Sequence, residues 1–304
     1  MGAKKYSNMG LIKFLRRKYK QLQIARIRKS GMSDEQFSKL QVKYVAGKEL
    51  HLNPPVLFWE KLQWLKLNKY TEAYGKYADK YAVRQIVADK IGPEYLNELY
   101  KVYDSVDEIN LDELPNQVAL KCTHASGYNV IVKDKSKLDW PKAKEKLKKW
   151  MGRNYYYWYR ERVYKDIKPR IVAEKYLEQS NGELVDYKFF CFHGEPKFVS
   201  MKIYENGLPA RGFFSMDWKK EQPDETTREY IMGDPPKPHK FEEMIEIARK
   251  LAEGFIFIRV DLYQIDGKIY FGELTFFPTA AVWMVPHITR LNKEWGDLID
   301  LSKA

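Results

Sequence analysis

The chain has 304 residues, 44% of them hydrophobic and 31% charged, so it is long enough for one large domain or two packed lobes with an ample core. No apolar run approaches the roughly 20 residues of a transmembrane helix, and no signal-peptide core follows the positively charged N-terminus. The two cysteines, Cys122 and Cys191, are too few for a disulfide framework, and a cytoplasmic location fits best.

The net charge of +12 is unevenly placed, because residues 4–29 contain many lysines and arginines and no carboxylate. A helix from Gly10 to Leu22 separates apolar from basic side chains. The apolar side has Leu11, Ile12, Leu15, Tyr19 and Leu22, and the basic side has Lys13, Arg16, Arg17 and Lys20, with Lys18 as the exception. Such a helix either packs on the protein's own core or lies on an anionic membrane surface or another polyanion, and we favour the second interpretation. We therefore expect a peripheral location at the inner face of the membrane, and no specific nucleic-acid partner.

The following segment is predicted to be mainly helical as far as Tyr100, with a break at Asn53-Pro54-Pro55. Apolar side chains at helical spacing predict one helix from Phe58 to Leu67. Another helix runs from Asp79 to Val87 and ends before Gly92-Pro93.

Beyond Pro115 the pattern changes to strands separated by turns, interrupted by one charged helix from Lys142 to Trp150 and by a helix from Phe241 to Leu251. The predicted strands are Val118–Thr123, Val130–Val132, Arg170–Leu177, Leu184–Cys191, Pro196–Tyr204, Phe255–Tyr263 and Lys268–Phe276. The predicted turns and loop are Asn181-Gly182, His193-Gly194, Asp266-Gly267 and Gln222 to Lys240. The fold class is therefore α+β, with antiparallel sheets in the C-terminal two thirds.

The first candidate site is Lys121 with the small-residue loop Ala125-Ser126-Gly127 between two strands. A lysine at a strand end supplies a point charge for a phosphate, and the loop supplies backbone N–H groups. A hairpin turn beside a lysine is common, so this signal is weak alone.

Two further segments carry charged residues on strands. At Glu174 to Glu178 the chain leaves a predicted strand. Its backbone N–H and C=O groups can there bind the edge of a planar ring. In the hairpin, strand alternation puts Arg259 and Asp261 on one face, and Glu273 and Thr275 on one face. Two convergent carboxylates suit Mg²⁺, although a surface salt-bridge ladder is the alternative. The apolar neighbours of Arg259 and Asp261 argue against an exposed ladder.

Taken together and in this order, these sites resemble the ATP-grasp layout, and the detailed sequence resembles the TupA-like ATP-grasp family of teichuronopeptide synthesis. The resemblance covers about Asp79 to Ala281. It is carried by Asp79–Arg84 (DKYAVR), Leu120–Gly127 (LKCTHASG), Ile167–Glu174 (IKPRIVAE), Asp186–Phe192 (DYKFFCF), Arg259–Tyr263 (RVDLY) and Phe271–Phe276 (FGELTF). It implies two lobes whose antiparallel sheets clasp ATP. The expected boundaries are a basic helical N-terminal region at 1–70, a pre-grasp segment at 71–117, a small lobe at 118–175 and a large lobe at 176–304.

The resemblance also implies roles for individual residues. The residues expected to bind ATP are Lys80 and Lys121 at the phosphates, Ser126 and Gly127 in the closing loop, Glu174, Lys175, Tyr176 and Leu177 at adenine, and Glu178 or Glu183 at ribose. Asp261, Glu273 and Thr275 are expected to bind Mg²⁺, with Mn²⁺ as an alternative. Arg259, Lys188 and Lys202 are expected to neutralise the phosphoryl group in flight. The sequence departs from the family at Ala125, at Thr275 and at Pro278 to Ala281, but it keeps the carboxylates and the lysines, so we expect an active enzyme.

The activity implied is an ATP-dependent ligase that joins an amine or amino acid to a carboxylate through an acyl phosphate. The expected acceptor is a uronic acid of a bacterial surface or capsular polysaccharide. The alternatives are a glycan kinase with the same ATP site, a glycosyltransferase, and a non-catalytic nucleotide-binding scaffold.

The metal site also predicts the register of the C-terminal hairpin. A simple two-residue turn at Asp266-Gly267 would place Asp261 and Glu273 on opposite faces of the sheet. We therefore predict a three-residue loop with Gly267 in the left-handed conformation, or a compensating bulge, with Arg259 opposite Glu273.

Overall fold

A computed structural model describes residues 22–28, 31–178, 184–205, 208–221, 231, 233–282 and 289–304. The predicted helix from Gly10 to Leu22, apart from Leu22 itself, lies outside these residues. So do Glu183, the predicted turn at Asn181-Gly182 and most of the predicted loop between Gln222 and Lys240.

Six helices of at least nine residues are formed by the described part of the chain. They are α1 (Asp34–Ala46), α2 (Phe58–Asn68), α3 (Val83–Ile91), α4 (Trp140–Met151), α5 (Phe241–Ala252) and α6 (Thr289–Asp297). Residues 22–28 are also helical, and one-turn α-helices span Gly75–Ala78 and Tyr156–Tyr159. The 3₁₀ turns are Glu72–Tyr74, Pro93–Tyr95, Val106–Glu108, Leu111–Glu113, Lys135–Lys137, Arg162–Tyr164, Pro278–Ala281 and Leu301–Lys303.

Local sequence signals explain where several helices begin and end. Ser33 caps α1 through a reciprocal pair of hydrogen bonds with Gln36. Asp139 caps α4 by accepting a bond from the Lys142 backbone N–H at 3.1 Å. Gly92 ends α3, as the sequence predicts, but α3 begins at Val83 rather than Asp79. The reason is that Asp79 lies before the helix: its carboxylate accepts from the backbone N–H groups of Tyr81 and Ala82, which lie between it and Val83.

The smaller sheet has four antiparallel strands in the order β1-β4-β2-β3. They are β1 (Leu99–Tyr103), β2 (Val118–Cys122), β3 (Asn129–Val132) and β4 (Ile171–Lys175). The prediction of a helical region as far as Tyr100 is wrong at its end, because Leu99–Tyr103 is the edge strand. Because this strand has only five residues, its alternation of apolar and polar side chains is a weaker signal than the helical pattern of the neighbouring segments.

The larger sheet has five antiparallel strands in the order β7-β6-β5-β8-β9. They are β5 (Asp186–Phe192), β6 (Glu195–Glu205), β7 (Leu208–Ser215), β8 (Phe257–Ile265) and β9 (Lys268–Thr275). The edge strand β7 is not anticipated by the sequence pattern.

The two faces of the larger sheet are covered differently. On one face Phe189 stacks on Phe241 of α5, with ring centroids 5.8 Å apart. On the other face Phe190 packs against Trp295 of α6, which in turn contacts Phe58 of α2. The helices cover only the aromatic half of this second face. The other half carries Lys188 and Asp261, which pair with each other at 2.8 Å.

The β8–β9 hairpin has a two-residue turn and a bulge. Ile265 pairs with Lys268, and Asp266 and Gly267 both have positive φ, at 48° and 80°. The register shifts after Leu262↔Phe271, so that Asp261 pairs with Glu273 and Gly272 is the extra residue. The predicted bulge and the left-handed Gly267 are therefore confirmed, and the three-residue loop is wrong. The expected pairing of Arg259 with Glu273 is also wrong, because Arg259 lies opposite Thr275.

Candidate active site

A cleft with about 830 Å³ of empty space separates the two sheets, and we call it the inter-sheet cleft. The smaller sheet and the segments beside it contribute Lys80, Arg84, Asn97, Lys121, Asn129, Glu174 and Leu177 to its lining, and the larger sheet contributes Tyr263, Phe271, Gly272, Glu273 and Leu274. The cleft therefore brings together five of the predicted site residues, namely Lys80, Lys121, Glu174, Leu177 and Glu273.

Lys80 is held at the cleft by its neighbours in sequence and by the loop after β2. Asp79 accepts a bond from Arg170 at 3.1 Å, and the Lys80 backbone N–H donates to the Thr123 carbonyl at 3.2 Å. The Lys80 ammonium donates to the Ala125 carbonyl at 2.6 Å. Burial lowers the pKa of Lys80, and the nearby Glu273 only partly offsets this. Among the described residues the ammonium has one hydrogen-bond partner, which leaves two donors for an anion.

Lys121, Glu174 and Arg84 form a charged cluster on the floor of the cleft. Glu174 accepts from Lys121 at 2.8 Å and from Arg84 at 3.3 Å, and Arg84 also donates to the Asn97 carbonyl at 2.7 Å. Lys121 reaches into the cleft as predicted. Glu174 also reaches into the cleft. It does so with its carboxylate, which binds Lys121 and Arg84, rather than with the backbone groups of the strand edge. Arg84 and Asn97 have no role in the sequence prediction.

The remaining wall of the cleft is apolar and carries two unpaired acceptors. Leu96, Leu177, Phe271 and Leu274 line it. Beside them, the buried side-chain oxygens of Asn97 and Asn129 have no hydrogen-bond partner among the described residues. A buried acceptor without a donor is costly, so a ligand with N–H groups fits here. A ligand that combines an apolar ring, N–H donors and an anionic tail would match the whole cleft.

Three residues expected at the base and ribose lie at or beyond the rim. Lys175 is exposed, its N–H donates to the Glu98 carbonyl and its carbonyl accepts from Asn97. Tyr176 lies 5.6 Å from the ammonium of Lys133, which also pairs with Glu178 at 3.9 Å. None of the three is part of the cleft lining.

The β8–β9 hairpin brings the predicted metal-binding and catalytic residues together around one guanidinium. Arg259 donates twice to Asp261, both at 2.6 Å, and also to Thr275 at 3.0 Å and Glu273 at 3.3 Å. Burial opposes the charge on Arg259, but the attraction of Asp261 and Glu273 outweighs it and raises the Arg259 pKa. For Glu273 burial is likewise outweighed, by Lys80 and then Arg259, and its pKa is lowered. Both side chains are therefore charged at neutral pH.

Lys188 and Asp186 on β5 extend this cluster. Lys188 pairs with Asp261 at 2.8 Å and also with Asp186. Burial, followed by repulsion from Asp261, raises the pKa of Asp186 to about 6. Its Oδ1 is buried with no hydrogen-bond partner in the described structure. Asp186 lies within a segment of the family resemblance but has no predicted role, because only the pairing of β5 with β8 brings it to Asp261.

The oxygen donors present here fit Mg²⁺. Over the ranges that the structure describes, no three His, Cys, Asp or Glu side chains form a metal-binding group. Asp261 and Glu273 do face each other on one side of the hairpin, with the Thr275 hydroxyl beside them. Mg²⁺ typically takes one or two carboxylates and fills its other positions with water and phosphate oxygens. The donor set is therefore sufficient for a metal that arrives with a phosphate ligand.

Lys202 is the one predicted catalytic residue that the structure leaves apart. It is exposed on β6, opposite Arg211 of β7, and lines neither cavity of the site.

A second cavity of about 610 Å³ adjoins the inter-sheet cleft, and we call it the side cavity. Glu273 and Tyr164 line both. The other lining residues of the side cavity are Ser126, Tyr155, Tyr159, Glu161, Arg259, Thr275, Phe277, Thr279 and Ala280. Ser126 of the predicted closing loop therefore lies over this cavity, and the adjacent Gly127 has a φ of 74°.

The wall of the side cavity formed by Pro278 to Ala281 is unusual. Thr279, Ala280 and Ala281 all have φ between 51° and 57°, which is the left-handed region. The buried Gln63 of α2 donates to the Ala281 and Ala280 carbonyls at 3.1 and 3.3 Å. Such strain persists only where surrounding contacts hold it.

Comparison with known proteins identifies the family. The model of the family described as TupA-like ATPgrasp matches residues 60–298. The chain belongs to the TupA-like ATP-grasp family. The resemblance found in the sequence is thereby confirmed, and with it the expected ATP-grasp fold.

Solved structures of other ATP-grasp proteins are similar at low sequence identity. D-alanine–D-alanine ligase from Bacillus anthracis, complexed with ATP, is 17% identical with a TM-score of 0.43, and the match covers 74% of this chain and 65% of that one. A RimK domain ATP-grasp protein from Sphaerobacter thermophilus is 14% identical with a TM-score of 0.38, covering 75% and 69%. N5-carboxyaminoimidazole ribonucleotide synthetase from Thermus thermophilus is 10% identical with a TM-score of 0.37, covering 79% and 52%.

A search of curated protein sequences finds no significant match. Among the residues with described structure, no helix is long and apolar enough to cross a membrane.

Proposed function

We propose that this ATP-grasp protein is an ATP-dependent carboxylate–amine ligase whose acceptor is a uronic acid of a bacterial surface or capsular polysaccharide. The observation that carries the proposal is the position of Glu273. It lies at the junction of the inter-sheet cleft, which has the lysines and apolar wall suited to ATP, and the side cavity, which has room for other substrates. A reaction at the γ-phosphate therefore has access to both.

In the first step, a carboxylate oxygen of the acceptor attacks the γ-phosphorus, the bond to the β-phosphate oxygen breaks, and ADP leaves. Lys80 and Lys121 bind the phosphates through their ammonium groups. Arg259 and Lys188 place positive charge where the transferred phosphoryl group gains negative charge. Asp261, Glu273 and Thr275 would hold Mg²⁺ or Mn²⁺, which when bound neutralises phosphate charge.

In the second step, the amine nitrogen forms a bond to the acyl carbon while the carbon–oxygen bond to phosphate breaks. Inorganic phosphate leaves, and the amine gives up a proton. Substrates that fill the side cavity would displace from it the water that would otherwise hydrolyse the acyl phosphate. The full set of lysines and carboxylates around the cleft favours an enzyme over a nucleotide-binding scaffold.

The proposal is tested by ADP release from ATP and Mg²⁺, screened against uronic acids, each paired with single amino acids or amines. We expect ADP release that depends on both partners, and an amide product of the summed mass less water. A phosphoester formed without an amine would instead favour a glycan kinase. Turnover of a nucleotide sugar without ATP would favour a glycosyltransferase.

A further inference from the structure

Glu161 is a buried carboxylate that the ATP site does not use. It is 6% exposed and lines the side cavity. In the structure as described, no backbone or side-chain group donates a hydrogen bond to its carboxylate. Its oxygens are not among the fully buried atoms without a partner, so they are open to the side cavity, where a ligand can reach them.

The cation that attracts Glu161 most strongly among the described residues, Lys66, has another hydrogen-bond partner. Lys66 of α2 is 1% exposed, and its ammonium donates to the Tyr159 carbonyl at 3.1 Å. It attracts Glu161 electrostatically but is not part of the cavity lining. Lys66 thus offsets part of the cost of burying Glu161 without lining the cavity itself.

The lining of the side cavity favours a cation over an anion. Two carboxylates, Glu161 and Glu273, face it, and the guanidinium of Arg259 is occupied by Asp261 and Thr275. Three tyrosine rings complete the wall, with Tyr155 lying 4.9 Å from Tyr164 and 6.1 Å from Tyr159 between centroids. Aromatic faces attract ammonium groups, and they repel anions.

We infer that the side cavity binds the amine substrate as its ammonium ion, with Glu161 as the residue that pairs with the ammonium and then accepts its proton. This inference rests on the proposed ligase function. The ammonium N–H bond breaks, its proton passes to a Glu161 carboxylate oxygen, and the freed lone pair forms the bond to the acyl carbon as phosphate leaves. Burial raises the pKa of Glu161 while the cavity holds no cation, and a bound ammonium lowers it again by favouring the charged carboxylate, which can then accept the proton.

The inference is tested by ligand-observed saturation-transfer NMR with the full chain, Mg²⁺ and a non-hydrolysable ATP analogue. The probes are a pool of primary amines (glycine, lysine, ethanolamine and putrescine) and a pool of anions without an amine (acetate and glucuronate). We expect at least one amine to bind the unmodified protein and to bind Glu161→Gln about 10–100-fold more weakly, as the loss of a charged hydrogen bond predicts. Glu161→Asp should keep part of the affinity.

Matched variants separate this effect from damage to the fold. Glu145→Gln removes an exposed carboxylate on α4 and should leave amine binding unchanged. Because Glu161→Gln leaves Lys66 buried without its counter-charge, the double variant Lys66→Met/Glu161→Gln removes both charges and serves if the single variant does not fold.

Each outcome either supports or overturns the inference. Equal amine binding by the unmodified protein and by Glu161→Gln would overturn it, as would binding of anions alone or of neither pool. The ATP-analogue signal reports separately on the proposed function. If the analogue fails to bind, the ligase proposal falls, and the amine measurements made without nucleotide still decide the role of Glu161.

Discussion

Arg259 is the residue around which the charged half of the larger sheet is built. Its guanidinium makes four hydrogen bonds to Asp261, Glu273 and Thr275, the three residues expected to hold the metal. Metal binding would therefore compete with or rearrange the contact to Glu273, which is the longest of the four. The two carboxylates consequently differ, because Asp261 is a structural partner of Arg259 and Lys188 as well as an expected metal ligand.

This difference gives a prediction for neutral replacements of the two carboxylates. Glu273 has a side chain that is 36% exposed, whereas that of Asp261 is 1% exposed;. Glu273→Gln should abolish Mg²⁺-dependent ADP release while changing the free energy of unfolding by less than about 1 kcal/mol. Asp261→Asn should abolish release and also cost about 3–5 kcal/mol, because it breaks a buried ion pair. The measurements are ADP release and urea unfolding.

The matched control is Asp297→Asn, which removes one partner of an exposed pair with Lys293 on α6 and should affect neither quantity. Near-normal ADP release by both Glu273→Gln and Asp261→Asn would contradict the metal-site assignment.

Glu161 makes stability depend on pH. Its folded-state pKa, about 8, is above that of an exposed glutamate, so the folded protein holds a proton that the unfolded chain releases. This stabilisation is complete below the unfolded pKa near 4.3 and is lost as pH rises to about 8. The charged groups that act on Glu161 are Lys66 and Glu273, and Asp34 acts on Lys66 in turn. Burial lowers the pKa of Lys66 to about 8, which gives the opposite slope only above that pH.

We therefore expect the free energy of unfolding to fall between pH 5.5 and pH 8, and to fall less in Glu161→Gln, when both are measured by urea unfolding at constant ionic strength. Glu145→Gln, which changes an exposed side chain, should follow the unmodified protein. Parallel pH profiles for the unmodified protein and Glu161→Gln would contradict a raised pKa at this residue.

At the scale of elements, the bulge at Gly272 decides whether the hairpin can carry the site. A Cβ at this position would lie 2.9 Å from the Asp261 carbonyl oxygen and 3.0 Å from the Tyr263 ring, so only glycine fits. Gly272→Ala should displace β9 relative to β8, lower the free energy of unfolding by about 1–3 kcal/mol and reduce ADP release at least tenfold. Gly152→Ala is the control, because the nearest atom to its Cβ is 3.7 Å away. Equal effects of the two substitutions would show that the bulge geometry is unimportant.

In the left-handed turn after β9, a substitution by glycine should raise the free energy of unfolding rather than lower it. Thr279 is exposed and β-branched, yet it has φ 53° and ψ 31°, which costs about 1–2 kcal/mol for such a residue. Thr279→Gly should therefore raise the free energy of unfolding by up to about 1 kcal/mol. Ala88→Gly within α3 should lower it by about 1 kcal/mol, as glycine normally does in a helix. Thermal and urea unfolding of both variants measure this. A loss of stability in Thr279→Gly equal to that in Ala88→Gly would mean that the turn is unstrained.

The elements also differ in how far sequence specifies them. In the β8–β9 hairpin, the alternation of side chains and the chemistry of a shared metal site together require a bulge, so its presence is predictable. The choice between a longer loop and a bulge is not, because it depends on the space around Gly272. The edge strands β1 and β7 are missed, since a strand takes much of its stability from packing in the sheet it joins, which the local sequence does not record.

At the scale of the whole molecule, the site is an assembly of segments that are distant in sequence. Lys80, Lys121, Glu174 and Glu273 are predictable from motifs, because each lies in a segment with its own recognisable pattern. Glu161, Asp186 and Asn97 are not, because the role of Glu161 comes from its position in the side cavity and those of Asp186 and Asn97 from buried oxygens without a hydrogen-bond partner among the described residues, which no local pattern records. Glu161 lies next to an aromatic run, and a lone acidic residue there resembles any surface glutamate.

The basic N-terminal region contributes much of the net positive charge of the chain, and we propose that it associates with membranes. Residues 1–21 contain seven lysines and arginines and no acidic residue. The following residues belong to the folded structure, because Ile27 is buried and the Arg28 guanidinium lies 3.8 Å from the centre of the Trp158 ring. A truncation that tests the basic region should therefore end at residue 21 and keep these contacts.

Deletion of residues 1–21 should weaken binding to vesicles of anionic phospholipid at least tenfold, because each basic residue near such a surface contributes about 1 kcal/mol. Raising the salt from 0.1 M to 1 M should release the full-length protein, since the screening length falls from about 10 Å to about 3 Å. A Lys137→Gln/Lys142→Gln/Lys149→Gln variant, which removes exposed charges elsewhere, is the control and should bind nearly as well as the unmodified protein. Vesicle co-sedimentation measures all three. Equal binding by the truncated and full-length proteins would show that residues 1–21 are ordinary basic surface.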